Sequence, residues 1–316
     1  MKYLLCLLLL FSCFGCQNSS SKLEEWMRPS GKVKVLSTTA IIDDIVGQVG
    51  GDRIDHLALI EGAMDPHSYE IVKGDAEKLS NAQIIFYNGL GLEHGASLRH
   101  QLKTHPQAIA LGDKIREQNP DAILFDRGQV DPHIWLDASL WSETIDPIVQ
   151  ALSEADPQNT AYYQDNGNKV RASLLALDQS LSQQLQQIAP DKRYLVTSHD
   201  AFNYFTRRYL SASGDWKNRF CAPEGLAPDG QLSCHDIQKV MDHLSEFHIR
   251  VIFPEANISQ DSIKKILSVC KEKGMSVTLA PKSLYSDTLP ESSSDSSATY
   301  QTMMEHNANT LYEAWK

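Results

Sequence analysis

Cysteine is scarce where a metal or disulfide framework would need it. Three of the six cysteines fall in the first sixteen of 316 residues, and the others, Cys221, Cys234 and Cys270, form no Cys-x-x-Cys pair. That spacing argues against a zinc site built from thiolates. Positive charge is also short, with 29 Lys and Arg against 40 Asp and Glu and a net charge of −11. A nucleic-acid face needs clustered Lys and Arg to displace counterions from phosphates, so that partner class is excluded and cations are the more natural partners. No His-Glu-x-x-His helix occurs, which removes the commonest zinc-hydrolase signature. Short-period repeats are missing, and the one low-complexity stretch, "ESSSDSSATY" at 291–300, is expected to be an exposed loop.

What is present has ordinary globular proportions, 42% apolar and 22% charged, and the length suits two domains. The opening "MKYLLCLLLLFSCFGC" has one lysine and then an apolar run from Leu4 to Leu10. It reads as an export signal and is too short for a membrane span, which takes ~20 apolar residues. It resembles a bacterial lipoprotein signal, in which a cysteine is lipidated and becomes the mature N-terminus. Cys16 is preferred because Gly15 before it is small; Cys13 is the alternative, with Leu10 well placed three positions earlier. A plain cleaved signal is the lesser alternative. "QNSSSK" then reads as a flexible tether. Export makes a disulfide chemically possible, and Cys221 and Cys234 bracket a loop rich in Pro and Gly. A bridge between them is expected, against the alternative of two partly buried thiols.

From Lys32 to about Asp156 short apolar runs alternate with helical patterns. "VKVLST" and "AQIIFYNG" stop at turn residues, and "AIIDDIVGQVG" between them carries apolar positions at helical spacing. This predicts parallel strands joined by crossover helices. "RYLVTSH", "RVIFPE" and "SVTLAP" repeat the pattern later, separated by two helical segments. Between the two regions Val170, Leu174, Leu177, Leu181 and Leu185 recur at steps of three and four, with Pro157 and Pro190 as start and stop. One helix of about 30 residues, ~45 Å long, is predicted there, with Gly167 as an interior weakness. The expected organisation is a signal and tether over 1–21, an N-terminal α/β lobe over 22–156, a linking helix over 157–190 and a C-terminal α/β lobe over 191–316.

Asp-Pro-His occurs twice, at 65–67 and 131–133. His67 follows the strand "RIDHLALI", His133 opens "HIWLDASLW", and "TSHDAF" sets His199 at a strand end; Asp287 in "LYSDTL" follows "SVTLAP". Loops at the carboxyl ends of parallel strands converge on the crevice where ligands bind. Imidazole and carboxylate together chelate first-row divalent cations. Proline before each of the first two histidines stiffens the turn, and Asp65 and Asp131 are placed to cap those turns or orient the imidazoles. Taken singly, each of eleven histidines is more often a capping or surface residue than a ligand. Glu255 in "FPEANIS" is either an orienting group at the crevice or a helix cap. His235, His243 and His248 are read as surface residues, and the C-terminal "MEHNANTLYEAW" as an amphipathic closing helix. "NGLGLEHG" has three residues in its second glycine gap where a dinucleotide fingerprint needs two, so it reads as a tight turn.

Taken together, "STTAIIDDIVGQVGGDRIDHLALIEGAMDPHSYE", "IIFYNGLGLE", "DPHIWLD", "TSHDAFNYF" and "LYSDTL" resemble, in order and over nearly the whole chain, the TroA-like family of zinc, manganese and iron receptors of bacterial ABC importers. The resemblance implies two parallel-sheet α/β lobes joined by a rigid helix, with the metal in the cleft between them. It carries the metal ligands onto His67, His133, His199 and Asp287. Manganese-specific relatives have glutamate where this chain has His199. Three imidazoles and one carboxylate are a softer set, tilting towards zinc or a broader specificity. Zinc scavengers of the family often insert a His-dense loop, and 90–131 holds only His94, His100 and His105, so the ion stays open among Zn, Mn and Fe.

The function implied is an exported, lipid-anchored, monomeric receptor that hands one divalent metal to ABC permease subunits and carries out no covalent chemistry. Two other classes are kept. In a zinc hydrolase three histidines would hold a metal with an open water position, but Asp287 would fill that position. In a surface lipoprotein acting in adhesion the metal would be a structural prop, and the metal-free protein would be unfolded.

Overall fold

The computed structural model of the chain describes residues 22–211, 214–228, 232–291 and 298–316. The segment assigned to signal and tether, with Cys13 and Cys16, lies outside them, as do residues 292–297 of the serine-rich stretch. Among the described residues no helix is long and apolar enough to cross a membrane.

Strands β1 (Val33–Thr39), β2 (Ile54–Ile60), β3 (Ile84–Tyr87) and β4 (Ala108–Ala110) form a parallel sheet in the order β2-β1-β3-β4. β1 is buried along almost its whole length, as a strand covered on both faces must be, even though Ser37, Thr38 and Thr39 at its carboxyl end are polar. The crossover helix Ala40–Gly50 starts where the Thr39 hydroxyl accepts from the Ile42 N–H, and its Ile41, Ile42, Ile45, Val46 and Val49 face the core. β1 is flanked by β2 on one side and β3 on the other, so the strand order reverses between β1 and β3 and the carboxyl ends of the strands open on a crevice there.

The second lobe repeats this order with shorter strands. Leu195–Val196 pairs in parallel with Phe220–Cys221, and Val251–Ile252 with Thr278–Leu279. The Phe253 N–H donates to the Val196 carbonyl at 2.9 Å, joining the two pairs. His199 therefore follows the first strand of its lobe and Asp287 the fourth.

The linking helix runs Thr160–Leu185, 26 residues, flanked by 3-10 turns that start at Pro157 and Pro190. Its five predicted apolar positions are all buried. Gly167 packs closely against the helix Ile145–Ala155: a Cβ there would lie 2.6 Å from Val149 Cγ2 and 3.1 Å from Ile145 Cγ2. The interior glycine is thus a packing requirement rather than a weakness. One continuous apolar cluster runs from Val33 in the first lobe through Trp135, the long helix and Tyr204 to Trp315. A core shared in this way resists wide hinge motion, because opening the lobes would expose it to water.

The closing helix Tyr300–Trp315 is capped by Thr299 and returns to the first lobe. The Tyr300 N–H donates to Asp44 at 2.8 Å and its hydroxyl to the Trp135 carbonyl at 2.6 Å.

Two expectations are corrected. Cys221 and Cys234 are unbridged thiols. Cys221 is buried in the core of the second lobe beside Val196, Met241 and Ile252, whereas Cys234 is exposed at the first turn of helix Cys234–Glu246. His235 and His248 are exposed, but His243 is half-buried, its ring 4.9 Å from Phe247 and 6.4 Å from Tyr194 between centroids. Burial, followed by the charge of Lys239, lowers its pKa to about 4.

Candidate metal centre

The loops at the carboxyl ends of the strands bring His67, His133, His199 and Asp287 together, all buried, with one donor atom from each lying within 4.8 Å of all the others. His67 Nε2 stands 3.3 Å from His133 Nε2. Asp287 carboxylate oxygens lie 3.5 Å from His199 Nε2, 3.7 Å from His133 Nε2 and 4.0 Å from His67 Nε2. A tetrahedral ion with bonds of ~2.0–2.1 Å holds its ligands about 3.3–3.4 Å apart; the His67–His133 and His199–Asp287 pairs are near that spacing, and the pairs of Asp287 with His133 and His67 are wider.

Each side chain is held from behind. Asp65 accepts from the His67 N–H at 2.9 Å and so braces the first Asp-Pro-His turn. Asp131 does this for His133 at 3.0 Å, and its Oδ1 also lies 2.7 Å from His133 Nδ1, which leaves Nε2 for the cluster. Asn203 of the second lobe donates to Asp131 Oδ2 at 3.0 Å. Glu255 is the orienting group, not a helix cap: Oε1 accepts from the N–H groups of Ser198 and His199 at 2.8 and 2.9 Å, and Oε2 lies 2.7 Å from His199 Nδ1. A carboxylate behind an imidazole fixes its tautomer and raises its basicity towards a metal.

The "NGLGLE" turn is structural. Gly89, Leu90 and Gly91 all have positive φ, wrapping the backbone so that Glu93 accepts from the N–H groups of Asn88 and Gly89. The Asn88 amide then donates to the Pro132 carbonyl at 3.0 Å, beside His133.

Without an ion the cluster is electrostatically unsettled. Burial, reinforced by His133 and His199, lowers the pKa of His67 well below the ordinary imidazole value. At His199 burial also disfavours the charged form, but the Glu255 and Asp287 carboxylates outweigh it and push the pKa up to about 10. Burial raises the Asp287 carboxyl, against the pull of His199 and His133. Asp287 Oδ1 and His199 Nε2 are buried with no hydrogen-bond partner. Buried polar atoms without partners are costly, and a cation at the point on which these atoms converge would satisfy them.

The sequence does not single out Trp135 and Asn257, which hold the Asp287 loop. Trp135 Nε1 donates to the Ser286 carbonyl at 2.6 Å, and the Asn257 amide donates to Asp287 Oδ2 at 3.2 Å. No local pattern marks either one, because their partners are distant in sequence.

Two parallel-sheet lobes of like topology, a stiff helix between them and a buried donor set at their junction define a solute-binding protein with room for a single small cation. The family profile described as "Zinc-uptake complex component A periplasmic" matches residues 35–314, and the chain belongs to that family. It is 39% identical to the metal-binding protein YtgA of Chlamydia trachomatis over 99% of this chain and 95% of that one. The crystal structure of Fe(III)-bound YtgA superposes with a TM-score of 0.84, covering 90% and 98% of the two chains at 38% identity. The manganese-binding lipoprotein MntA of Bacillus subtilis is 31% identical over 97% of this chain and 96% of that one. The periplasmic zinc-binding protein TroA of Treponema pallidum superposes with a TM-score of 0.81 at 27% identity, covering 90% and 99%.

Proposed function

We propose that this chain is an exported receptor that binds one divalent transition metal through His67, His133, His199 and Asp287 and delivers it to the permease of an ABC importer. The observation that carries this reading is the convergence of four buried donors, two from each lobe, with their ligand atoms within 4.8 Å of one another. The relatives named above are described as binding iron, manganese or zinc, and three imidazoles with one carboxylate suit each of these. We assign 22–156 to the first lobe, 157–190 to the linking segment and 191–316 to the second. Metal release then needs only a small displacement of one lobe, since each contributes half of the donors and the shared core opposes a large one.

The same reading has the protein act as a monomer, tethered through a lipidated Cys16, with Cys13 as the alternative. It carries out no catalysis. Asp287 takes the coordination position that a hydrolytic water would need, and the structural fit to receptors disfavours an adhesive role with the metal as a prop.

Elemental analysis of the purified protein, dialysed anaerobically against equal Zn, Mn and Fe(II), tests the proposal alongside the His67→Ala and His199→Ala forms. About one equivalent of a single ion, lost in both variants, is expected. Absence of stoichiometric metal from the wild-type protein would overturn it.

A further inference from the structure

His94 has no role in the site as described, yet it stands at its mouth. Its ring centroid is 5.9 Å from that of His67. The three histidine pairs within the cluster are separated by 5.2, 6.0 and 5.3 Å, so His94 approaches His67 as closely as His199 does. Unlike those three, His94 is exposed. Its N–H donates to the His67 carbonyl at 3.2 Å, which ties the two loops together. Both rings line an open cavity of about 610 Å³, together with Asp113 and Arg116 from the first lobe and Leu226 from the second. The cavity gives a route from solvent to His67 across the junction between the lobes.

We propose that His94 is a transit ligand: an ion entering or leaving the centre is held between the imidazoles of His94 and His67 before His67 passes it inward or outward. This rests on the metal-receptor reading and deepens it. Shedding hydration water is the slow part of metal capture, and an exposed imidazole allows exchange for protein ligands one at a time. Residence in the mouth is short for two reasons on the same surface. Arg116 adds a positive charge to the wall, and among the described residues no third His, Cys, Asp or Glu joins His94 and His67 to form a second cluster. Asp113 is engaged elsewhere, accepting from the Leu90 N–H at 3.3 Å.

A transit ligand changes the height of a barrier and leaves both end states alone, so it must alter association and dissociation by the same factor. The test is stopped-flow measurement of Zn²⁺ uptake, and of Zn²⁺ loss to a chromophoric chelator, for the wild-type protein and for His94→Ala and His94→Gln. Equal, several-fold slowing of both rates at unchanged Kd is expected. Unchanged rates in both variants would overturn the proposal, and so would faster loss with unchanged uptake, which would make His94 a resident ligand. Failure of the wild-type protein to take up Zn²⁺, Mn²⁺ or Fe²⁺ would instead sink the receptor reading itself. His94 is exposed, so loss of folding is not expected, and thermal unfolding of the metal-free variants checks this directly.

Discussion

The indole of Trp135 donates to the carbonyl of Ser286 at 2.6 Å, linking the second residue after His133 to the residue before Asp287 across 151 positions of sequence. The Trp135 carbonyl in turn accepts from the hydroxyl of Tyr300 on the closing helix. Donors from opposite lobes are thereby tied together by neutral groups outside the cluster.

Replacing Trp135 by Phe keeps the apolar ring and deletes this bond. Loss of a buried hydrogen bond costs about 1 kcal/mol of stability, and the part that metal binding must restore by reordering the Asp287 loop weakens Kd by at most roughly fivefold. Metal titration should show that weakening with the stoichiometry retained; an unchanged Kd would show that the Asp287 loop is positioned without Trp135.

Glu255→Gln keeps an oxygen for the two N–H groups while removing the charge beside His199. A tenfold to hundredfold loss of affinity is expected, about the usual effect of such supporting groups. The pH dependence should change with it. In the metal-free protein His199 holds its proton up to a pKa of about 10, and the ion must displace that proton from Nε2. Apparent affinity should therefore rise with pH towards that value in the wild-type protein. The rise should end at lower pH in Glu255→Gln, because the larger of the two carboxylate charges that raise the pKa is gone while Asp287 remains. Calorimetry in buffers of different ionisation enthalpy reads the released proton, and equal proton release by both forms at pH 8 would contradict the assignment.

For the metal-free fold the sign of the His199 contribution is fixed by the same shift. The folded pKa of about 10 exceeds the unfolded value of 6.5, so this stabilisation is complete below 6.5 and is lost as pH rises to about 10. His243 acts in the opposite direction, since burial lowers its pKa to about 4. Between about 4 and 6.5 the unfolded chain binds the extra proton, and stability falls as pH falls. Urea unfolding of His243→Leu against the wild-type protein should show a flatter acid limb in the variant, and parallel limbs would refute this account.

Alanine at 167 would raise helix propensity by about 1 kcal/mol in an exposed position. Here its Cβ would press on Val149 and Ile145, and overpacking of that kind costs about 1–3 kcal/mol. A net loss of stability is expected for Gly167→Ala. A gain would mean that the two helices separate easily.

How far the sequence revealed the molecule depended on the range of each interaction. The strands, the long helix and the stiff Asp-Pro-His turns follow from local periodicity and from proline, and both survive folding intact. That the second lobe repeats the strand order of the first could not be read, because its strands are as short as Leu195–Val196 and pairing order is decided by tertiary packing. Glu255 stood between two readings for a similar reason: the N–H groups it accepts from lie 57 and 56 residues away. The cysteine expectation failed because a bridge depends on how two Cβ atoms approach, and folding buried one thiol while leaving the other in solvent. His243 was misplaced because Tyr194, which covers its helix face, comes from another element.

The proposed site has one ion shared between the lobes by His67, His133, His199 and Asp287. Anomalous diffraction from crystals of the metal-loaded protein, recorded on either side of the metal absorption edge, tests it most directly. One strong peak is expected within about 2.0–2.3 Å of the three Nε2 atoms and of an Asp287 oxygen. A peak bonded to residues of only one lobe, or lying away from these four side chains, would contradict it.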